Sequence, residues 1–158
     1  MFSGIEEKIG DKLRERKLTI GIAESCTGGL ISHRITSVPG SSDYYMGSVI
    51  SYSNEVKMRI LGVKESTLND FGAVSSECAQ EMAEGVRRLL GTDIGLSVTG
   101  IAGPGGATPD KPVGLVYIAL ASPDGTSHSR FIFDADREGN KKRSSDEALK
   151  ILDAYLVQ

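Results

Sequence analysis

The chain has 158 residues, a mass of 16.8 kDa and a formal net charge of −3, and this length fits one domain that can bury a sizeable core without cross-links. Its lysines and arginines form no long run, so a face that follows nucleic-acid phosphates is not expected, and small molecules or copies of the same chain are the expected partners. Two widely spaced cysteines, Cys26 and Cys78, give neither a disulfide framework nor a metal-ligand spacing, which suits a reducing compartment.

The sequence gives no indication of targeting or of a membrane span. Its first ten residues are charged and lack an apolar core, and no apolar run approaches the length that crosses a bilayer. We find no linker, low-complexity tract or internal repeat. We therefore predict a soluble, cytoplasmic protein that forms a single domain over residues 1–158 and has no membrane partner.

Apolar residues switch repeatedly between helical and strand-like spacing along the chain, which is typical of an α/β fold. In chain order the predicted elements are a helix carrying Ile5, Ile9 and Leu13, a strand over 19–23, a helix over 28–36, a strand over 46–52, helices over 54–61 and 75–90, strands over 94–99, 113–121 and 129–134, and a helix ending near Leu156. A turn signal at 123–125 makes the last two strands an antiparallel hairpin. We expect an α/β/α architecture whose mixed sheet has about five strands.

The helices predicted over 54–61 and 75–90 each have an apolar face that should be buried. The residues predicted to face the core are Val56, Ile60, Leu61, Cys78, Met82, Val86 and Leu89. On this interpretation Cys78 is a small core residue rather than a reactive thiol.

The segment from Thr19 to Gly29 runs an apolar strand into a serine, a cysteine, a threonine and two glycines. Gly28 and Gly29 indicate a turn that opens a helix, whose free N–H groups and positive dipole end would face a ligand or an oxyanion beside Ser25 and Thr27. Helix capping by the hydroxyls and tight packing at the glycines would explain the same residues without a ligand.

Lys57 follows closely on the segment Tyr52-Ser53-Asn54. If Asn54 caps the next helix, Lys57 falls in its first turn, where the helix dipole disfavours a cation. A lysine placed there and shielded from water loses proton affinity, as a general base at neutral pH requires. The alternative is an exposed lysine on an ordinary helix.

The loop from Thr99 to Gly114 is rich in glycine and proline, and it leaves a predicted strand at the sheet edge where open α/β sheets bind ligands. Its glycines would let backbone N–H groups approach a phosphate closely. It contains neither a P-loop nor a dinucleotide-binding fingerprint, and His33 and His128 lack a metal-ligand spacing. We therefore expect no metal and no cofactor. A flexible connection between strands is the alternative for this loop.

Five segments together match a known family: AESCTGG at 23–29, YSN at 52–54, GAVS at 72–75, TGIAGP at 99–104 and KPVG at 111–114. In these segments, and over nearly its whole length, the chain resembles the CinA C-terminal domain family of nicotinamide-nucleotide amidases. The resemblance implies an α/β/α fold, homodimers or larger homo-oligomers, and hydrolysis of nicotinamide mononucleotide to nicotinate mononucleotide and ammonia in pyridine nucleotide salvage. Competence-named CinA proteins carry a second, N-terminal domain, whose activities we do not transfer to this chain.

The resemblance implies that Ser25 is the nucleophile and that Lys57, with Tyr52 nearby, activates it. The residues themselves agree, because a serine attacks an amide only if a group accepts its proton, and neither histidine lies in a motif. Cys26 is the rival nucleophile, although adjacent residues at a strand end tend to point to opposite sides. The residues expected to line the substrate and its oxyanion are Thr27, Gly28, Gly29, Asn54, Thr99, Gly100 and Gly103.

The chain departs from the family pattern near residue 135. Relatives usually have Gly-Asp-Arg and then a further arginine, whereas this chain has Ala135, Asp136 and Arg137, followed by Lys141. Arg137 could hold a substrate phosphate through paired hydrogen bonds, and Lys141 would supply a point charge. A salt-bridged arginine at a helix start is the alternative for Arg137. Two other classes of function also stay open: a nucleotide-binding module without turnover, and an interaction domain of the same fold.

Overall fold

The structure, a computed structural model, describes residues 4–158, so residues 1–3 of the predicted domain lie outside the described range. A five-stranded sheet lies between two layers of helices. The helices are α1 (Ile5–Arg16), α2 (Leu30–Thr36), α3 (Asn54–Leu61), α4 (Glu65–Phe71), α5 (Ser76–Leu90) and α6 (Arg137–Leu156). The strands are β1 (Ile20–Glu24), β2 (Tyr45–Ile50), β3 (Ile94–Gly100), β4 (Leu115–Ser122) and β5 (Gly125–Ile132).

The sheet has the strand order β2-β1-β3-β4-β5, with β1 parallel to both of its neighbours and the β4–β5 hairpin antiparallel. The prediction of a mixed α/β sheet of this size is confirmed. Because β1, β2 and β3 run in the same direction, their carboxyl ends meet at one edge of the sheet. Glu24, at the end of β1, pairs with both Ile50 of β2 and Val98 of β3.

The two faces of the sheet differ in the size of their side chains. Branched residues such as Ile20 and Ile22 pack against α1, α2 and α6. Small residues such as Ala119 and Ala121 face α5, which lets that helix lie close to the sheet. Gly85 then lets α3 pack directly on the backbone of α5, because a Cβ at this position would lie 2.0 Å from the carbonyl oxygen of Leu61.

The predicted inward faces of α3 and α5 are each wrong at one residue. Ile60 is 42% exposed, because the buried side of α3 is formed by Lys57 and Leu61 at the i, i+4 spacing of one helix face. Leu89 is exposed, and the buried side of α5 continues instead towards Leu90, which packs against the cluster that contains Cys78. Cys78 is confirmed as a core residue.

Several elements begin elsewhere than predicted or are not predicted at all. β5 begins at Gly125, directly after the turn, rather than at residue 129, because this edge strand starts with residues that face solvent. β4 begins at Leu115 rather than at residue 113. The short helix α4 is not predicted, since its buried polar residue Thr67 breaks the apolar period.

A buried ion network fixes α6 against α1 and α2. Arg34 of α2 donates from Nε to Glu6 at 2.9 Å and from Nη1 to Ser145 Oγ at 2.8 Å and Asp146 Oδ1 at 2.6 Å. Burial raises the pKa of Asp146, but hydrogen bonds from Lys142 and Arg34 outweigh burial and hold that pKa below its usual range. The network sets the position of α6, whose first turn borders the candidate site.

Two neighbouring tyrosines offer a test of what a buried hydroxyl contributes to stability. The hydroxyl of Tyr44 is buried and has no hydrogen-bond partner among the described residues, whereas the hydroxyl of Tyr45 shares a 2.6 Å hydrogen bond with Ser48. Tyr44→Phe removes an unsatisfied polar group, so we expect the free energy of unfolding to be unchanged or to rise by about 1 kcal/mol. Tyr45→Phe, the matched control, should lower it by about 1 kcal/mol. Urea denaturation measures both, and a clear loss for Tyr44→Phe would contradict this account.

Candidate active site

A cavity of about 220 Å³ lies at the carboxyl ends of β1 and β3, between α3, the loop after β3 and the first turn of α6. Most of the residues predicted for the site line it, namely Ser25, Tyr52, Asn54, Lys57, Thr99, Gly100, Gly103 and Arg137. Segments that lie far apart in the sequence are therefore brought together as the motifs predict. The cavity wall also includes residues that were not predicted as site residues, namely Cys26, Ala73, Val74, Ile101, Ala102, Gly105 and Gly106.

Ser25 and Lys57 contact each other at the floor of this cavity. The Nζ of Lys57 donates a 3.0 Å hydrogen bond to Ser25 Oγ and also donates to the carbonyl oxygens of Ser51 at 2.7 Å and Tyr52 at 3.1 Å. The side chain of Lys57 is 1% exposed. A lysine has three N–H donors, so each of them has an acceptor within the protein. The alternative of an exposed surface lysine is therefore wrong.

Of the two causes predicted for a low proton affinity of Lys57, the structure supports shielding from water, whereas the predicted cap at Asn54 is wrong. Ser53, not Asn54, caps α3, because its side chain accepts from the N–H of Val56 at 3.2 Å. Lys57 therefore lies one residue further from the helix terminus than a cap at Asn54 would place it, and its side chain points back towards the start of the helix. Burial lowers the pKa of Lys57 and outweighs the opposite effect of nearby Cys78 and Cys26.

The turn after β1 is organised around the buried carboxylate of Glu24. This carboxylate accepts hydrogen bonds from the backbone N–H groups of Gly29, Ile31 and Ser32 and from the hydroxyl of Thr27. The expectation that the start of α2 faces a ligand is therefore wrong, since Glu24 already occupies those donors.

Thr27, Gly28 and Gly29 do not line the cavity. Both glycines have positive φ angles, +61° and +106°, which turn the chain from β1 into α2. These three residues shape the turn that carries Ser25, and their contact with a substrate stays a prediction.

Cys26 also borders the cavity, but its side chain packs into the core cluster that contains Ile22, whereas the Ser25 hydroxyl contacts Lys57. Its thiol differs from the Ser25 hydroxyl in its surroundings. Burial raises the pKa of Cys26 to about 12, and the nearby charge of Glu24 acts in the same direction. The thiolate is the reactive form of cysteine, so this thiol is a poor nucleophile near neutral pH.

Arg137 and Tyr52 form the wall opposite the serine. Arg137 is the first residue of α6, and it donates to the carbonyl oxygen of Gly103 at 2.6 Å and to the Tyr52 hydroxyl at 3.2 Å. It makes no ion pair with the described residues, so the alternative of a salt-bridged arginine is wrong. The carbonyl of Tyr52 binds Lys57, whereas its hydroxyl points to Arg137, and its side chain is 63% exposed.

Asn140 supports this wall from behind without lining the cavity, and sequence analysis missed it. Its side chain is buried, donates to the carbonyl oxygen of Ala102 at 3.0 Å and accepts from the N–H of Ala135 at 3.0 Å. It thereby ties the loop after β3 to α6. A lone asparagine within a polar helical turn produces no periodic signal, so its role follows from tertiary contacts alone.

The loop after β3 presents backbone to the cavity. The hydroxyl of Thr99 donates to the carbonyl oxygen of Ala73 at 2.9 Å, so its oxygen can still accept a hydrogen bond. Within the described part of the chain, the N–H groups of Gly103, Gly105 and Gly106 have no acceptor. Backbone N–H groups with no internal partner can bind an oxyanion or a phosphate.

Comparison with known proteins identifies the family of this chain. The family model for the CinA C-terminal domain matches residues 3–156. The chain belongs to this family.

Curated CinA relatives are similar over nearly the whole chain. A putative competence-damage inducible protein of Halothermothrix orenii is 54% identical over 155 residues, which cover 98% of this chain and 38% of that protein. A CinA-like protein of Salinibacter ruber is 52% identical over 146 residues, 92% of this chain and 35% of that protein. The chain thus spans little more than a third of the length of these curated CinA relatives.

Solved CinA-superfamily structures have the same fold at nearly the same length. The competence damage-inducible protein A of Klebsiella pneumoniae superposes with a TM-score of 0.94 at 32% identity, covering 98% of this chain and 96% of that one. A competence/damage inducible protein of Agrobacterium tumefaciens gives a TM-score of 0.91 at 36% identity, covering 100% of this chain and 99% of that one.

The two departures from the CinA family pattern have different surroundings. Ala135 does not have a positive φ angle, and its contact with Asn140 uses its backbone N–H, so a side chain is accommodated there. The Nζ of Lys141 lies beside Gly28, 3.6 Å from the position that a Cβ would take on that glycine. This places a cation next to the turn that carries Ser25.

The described residues were searched for a metal site and for a membrane-spanning helix. Over residues 4–158 no group of three or more histidine, cysteine, aspartate or glutamate side chains could hold a metal ion. In the same range no helix combines the length and the apolar character required to span a bilayer.

Proposed function

We propose that this chain is an amidohydrolase that converts nicotinamide mononucleotide to nicotinate mononucleotide and ammonia, with Ser25 as nucleophile and Lys57 as base. The observation that carries the proposal is the 3.0 Å contact between Ser25 Oγ and the buried Nζ of Lys57. The choice of substrate rests on the resemblance of the five motifs to nicotinamide-nucleotide amidases. This reaction would serve pyridine nucleotide salvage in the cytoplasm.

The contacts of Lys57 suit a base that works in its neutral form. A neutral amine can donate its two N–H groups to the carbonyls of Ser51 and Tyr52, which leaves its lone pair directed at Ser25 Oγ. The serine hydroxyl then donates to the amine and passes its proton to it as Oγ attacks the carboxamide carbon. Burial favours the neutral amine before the reaction, because it disfavours the charged form.

The remaining steps use the same two side chains. Collapse of the tetrahedral adduct breaks the carbon–nitrogen bond, and the Lys57 ammonium returns its proton to the leaving nitrogen, so that ammonia departs and an ester on Ser25 remains. A water molecule, deprotonated by Lys57, then attacks the ester carbon, and the Lys57 ammonium returns the proton to Ser25 Oγ as the ester bond breaks. The acid that is released ionises to the carboxylate. The N–H groups of Gly103, Gly105 and Gly106 are the candidates to stabilise the developing oxyanion or to hold the phosphate.

Two other functions compete with hydrolysis: nucleotide binding without turnover, and protein interaction. The buried serine–lysine pair favours hydrolysis, since neither a binding module nor an interaction domain needs a neutral amine aimed at a hydroxyl. Release of ammonia from nicotinamide mononucleotide separates the three. Binding of the nucleotide without ammonia would support the first rival, and neither binding nor turnover would support the second.

Ser25→Ala should lower ammonia release by a factor on the order of 10³ or more, because the attacking oxygen is lost. The fold and most of the ligand affinity should persist, as measured by circular dichroism and by calorimetric titration with nicotinamide mononucleotide. Cys26→Ser is the matched control in the adjacent position and should stay active. Near-normal turnover by Ser25→Ala, together with inactivation by Cys26→Ser, would show that Cys26 rather than Ser25 is the nucleophile.

Lys57 should impose an acid limb on the pH profile of kcat/KM. The base works only when neutral, so activity should rise with pH through the lowered pKa of Lys57 and fall as acid converts the amine to ammonium. Lys57→Met should lose about 100-fold or more in kcat, and Lys57→Arg should fare almost as badly because a guanidinium stays protonated. Melting temperatures separate this loss from unfolding. Comparable activity in folded Lys57→Arg would make residue 57 a substrate-binding cation instead.

Recognition of the phosphate should make nicotinamide mononucleotide a far better substrate than nicotinamide or its riboside, because binding remote from the amide lowers the barrier there. Arg137→Ala should reduce kcat/KM for the mononucleotide about 10- to 100-fold, the value of a charged hydrogen bond, with little effect on the riboside. Lys141→Arg, which keeps the charge, is the control and should do no harm. Equal hydrolysis of all three amides would show that the phosphate is not recognised and that the protein is a general amidase.

A further inference from the structure

Glu24 is a buried carboxylate at the end of β1 whose role goes beyond that of a helix cap. The side chain is fully buried, and both of its oxygens accept hydrogen bonds. Oε1 accepts from Thr27 Oγ1 at 2.6 Å and from the N–H groups of Gly29 at 3.2 Å and Ile31 at 3.1 Å. Oε2 accepts from the N–H of Ser32 at 2.8 Å and its hydroxyl at 2.5 Å. Together these contacts close the turn that contains Ser25.

The backbone of Glu24 contacts the segment that holds Lys57. The carbonyl oxygen of Glu24 accepts from the N–H of Ser51 at 2.7 Å and from the Ser51 hydroxyl at 3.3 Å. The carbonyl of Ser51 in turn accepts from Lys57 Nζ at 2.7 Å. A continuous chain of hydrogen bonds thus runs from the turn of the nucleophile, through Glu24, to the acceptors of the base.

The electrostatic environment of Glu24 is unusual for a buried carboxylate. Among the described residues no lysine, arginine or histidine forms an ion pair with it, so N–H and O–H donors alone compensate for its removal from water. A buried charge is tolerated only when it is hydrogen-bonded, and three of the five donors to Glu24 are backbone N–H groups, so the chain itself is tied to the carboxylate. The carboxylate therefore makes the turn rigid.

We propose that Glu24 is a positioning residue for the serine–lysine pair, which fixes the Ser25 turn through its carboxylate and the Lys57 acceptors through its carbonyl. This inference rests on the proposed hydrolase function. Glu24 does not line the cavity, so it acts through Ser25 and Lys57 rather than on a substrate. Accurate placement of the two reacting atoms matters because a displacement of about 1 Å can reduce a rate about 100-fold.

Glu24→Gln tests the role with an isosteric side chain. The amide has a single acceptor oxygen, so its NH₂ group must face donors that the second carboxylate oxygen now accepts. We expect kcat to fall about 10- to 100-fold with KM changed less than about twofold, and the acid limb of the pH profile to stay in place. Ser32→Ala is the matched control, because it removes one hydroxyl donor to the same carboxylate and leaves the N–H donors. Its kcat should stay close to that of the unaltered chain.

Several outcomes would overturn the proposal. A Glu24→Gln protein with a lower melting temperature but an unchanged kcat, assayed at a temperature well below melting, would show a purely structural role. A shifted acid limb would show that Glu24 acts through its charge on Lys57. A Ser32→Ala loss as large as that of Glu24→Gln would also refute positioning by the carboxylate. If Glu24→Gln does not fold, Glu24→Asp, which keeps the charge but shortens the reach, should show the same split between kcat and KM.

Hydrogen exchange separates failure of this inference from failure of the proposed function. The N–H of Ser51 binds the carbonyl of Glu24 rather than its carboxylate, so faster exchange there in Glu24→Gln would reveal coupling between the two halves of the site. Unchanged exchange at Ser51 would overturn the coupling whether or not the protein has activity. Absence of ammonia release from the unaltered chain, with faster exchange at Ser51, would instead refute the hydrolase and retain the architecture.

Discussion

The site depends on removing the amine of Lys57 from water without leaving any of its N–H groups unsatisfied. A buried amine is tolerated when it is neutral or when each donor has an acceptor, and here Ser25, Ser51 and Tyr52 supply three hydrogen-bond partners. They come from the segments that follow two adjacent parallel strands. The pairing of β1 with β2 is therefore a condition for the contact between Ser25 and Lys57, because it brings the serine and both carbonyls to one sheet edge.

The packing of α5 determines how deeply Lys57 is buried. Small residues on one face of the sheet let α5 approach it. Gly85 of α5 then lets the backbone of α3 at Leu61 lie directly against it. Lys57 and Leu61 occupy the same face of α3, so the packing that buries Leu61 also buries Lys57 at the sheet edge. The proton affinity of the candidate base is thus coupled to close helix packing remote from the cavity.

The opposite wall of the cavity is held by the other helical layer. Arg34 anchors α6 through Ser145 and Asp146, and the first turn of α6 carries Asn140 and Arg137 to the loop after β3. This arrangement separates two tasks between two layers. The layer of α3 and α5 buries the base, and the layer of α6 positions the cation and the backbone N–H groups that suit an anionic substrate.

The sequence by itself determined the α/β class, the mixed sheet, the family and the segments that meet at the site, because hydrophobic period and glycine-rich motifs are local patterns. It could not determine that Lys57 rather than Ile60 faces inward, that Glu24 fills the start of α2, or that Asn140 supports the wall. Each of these depends on contacts between residues distant along the chain. Burial and hydrogen-bond partners are properties of the packed structure, so the tertiary fold alone decided which polar groups form the candidate serine–lysine pair and which support it.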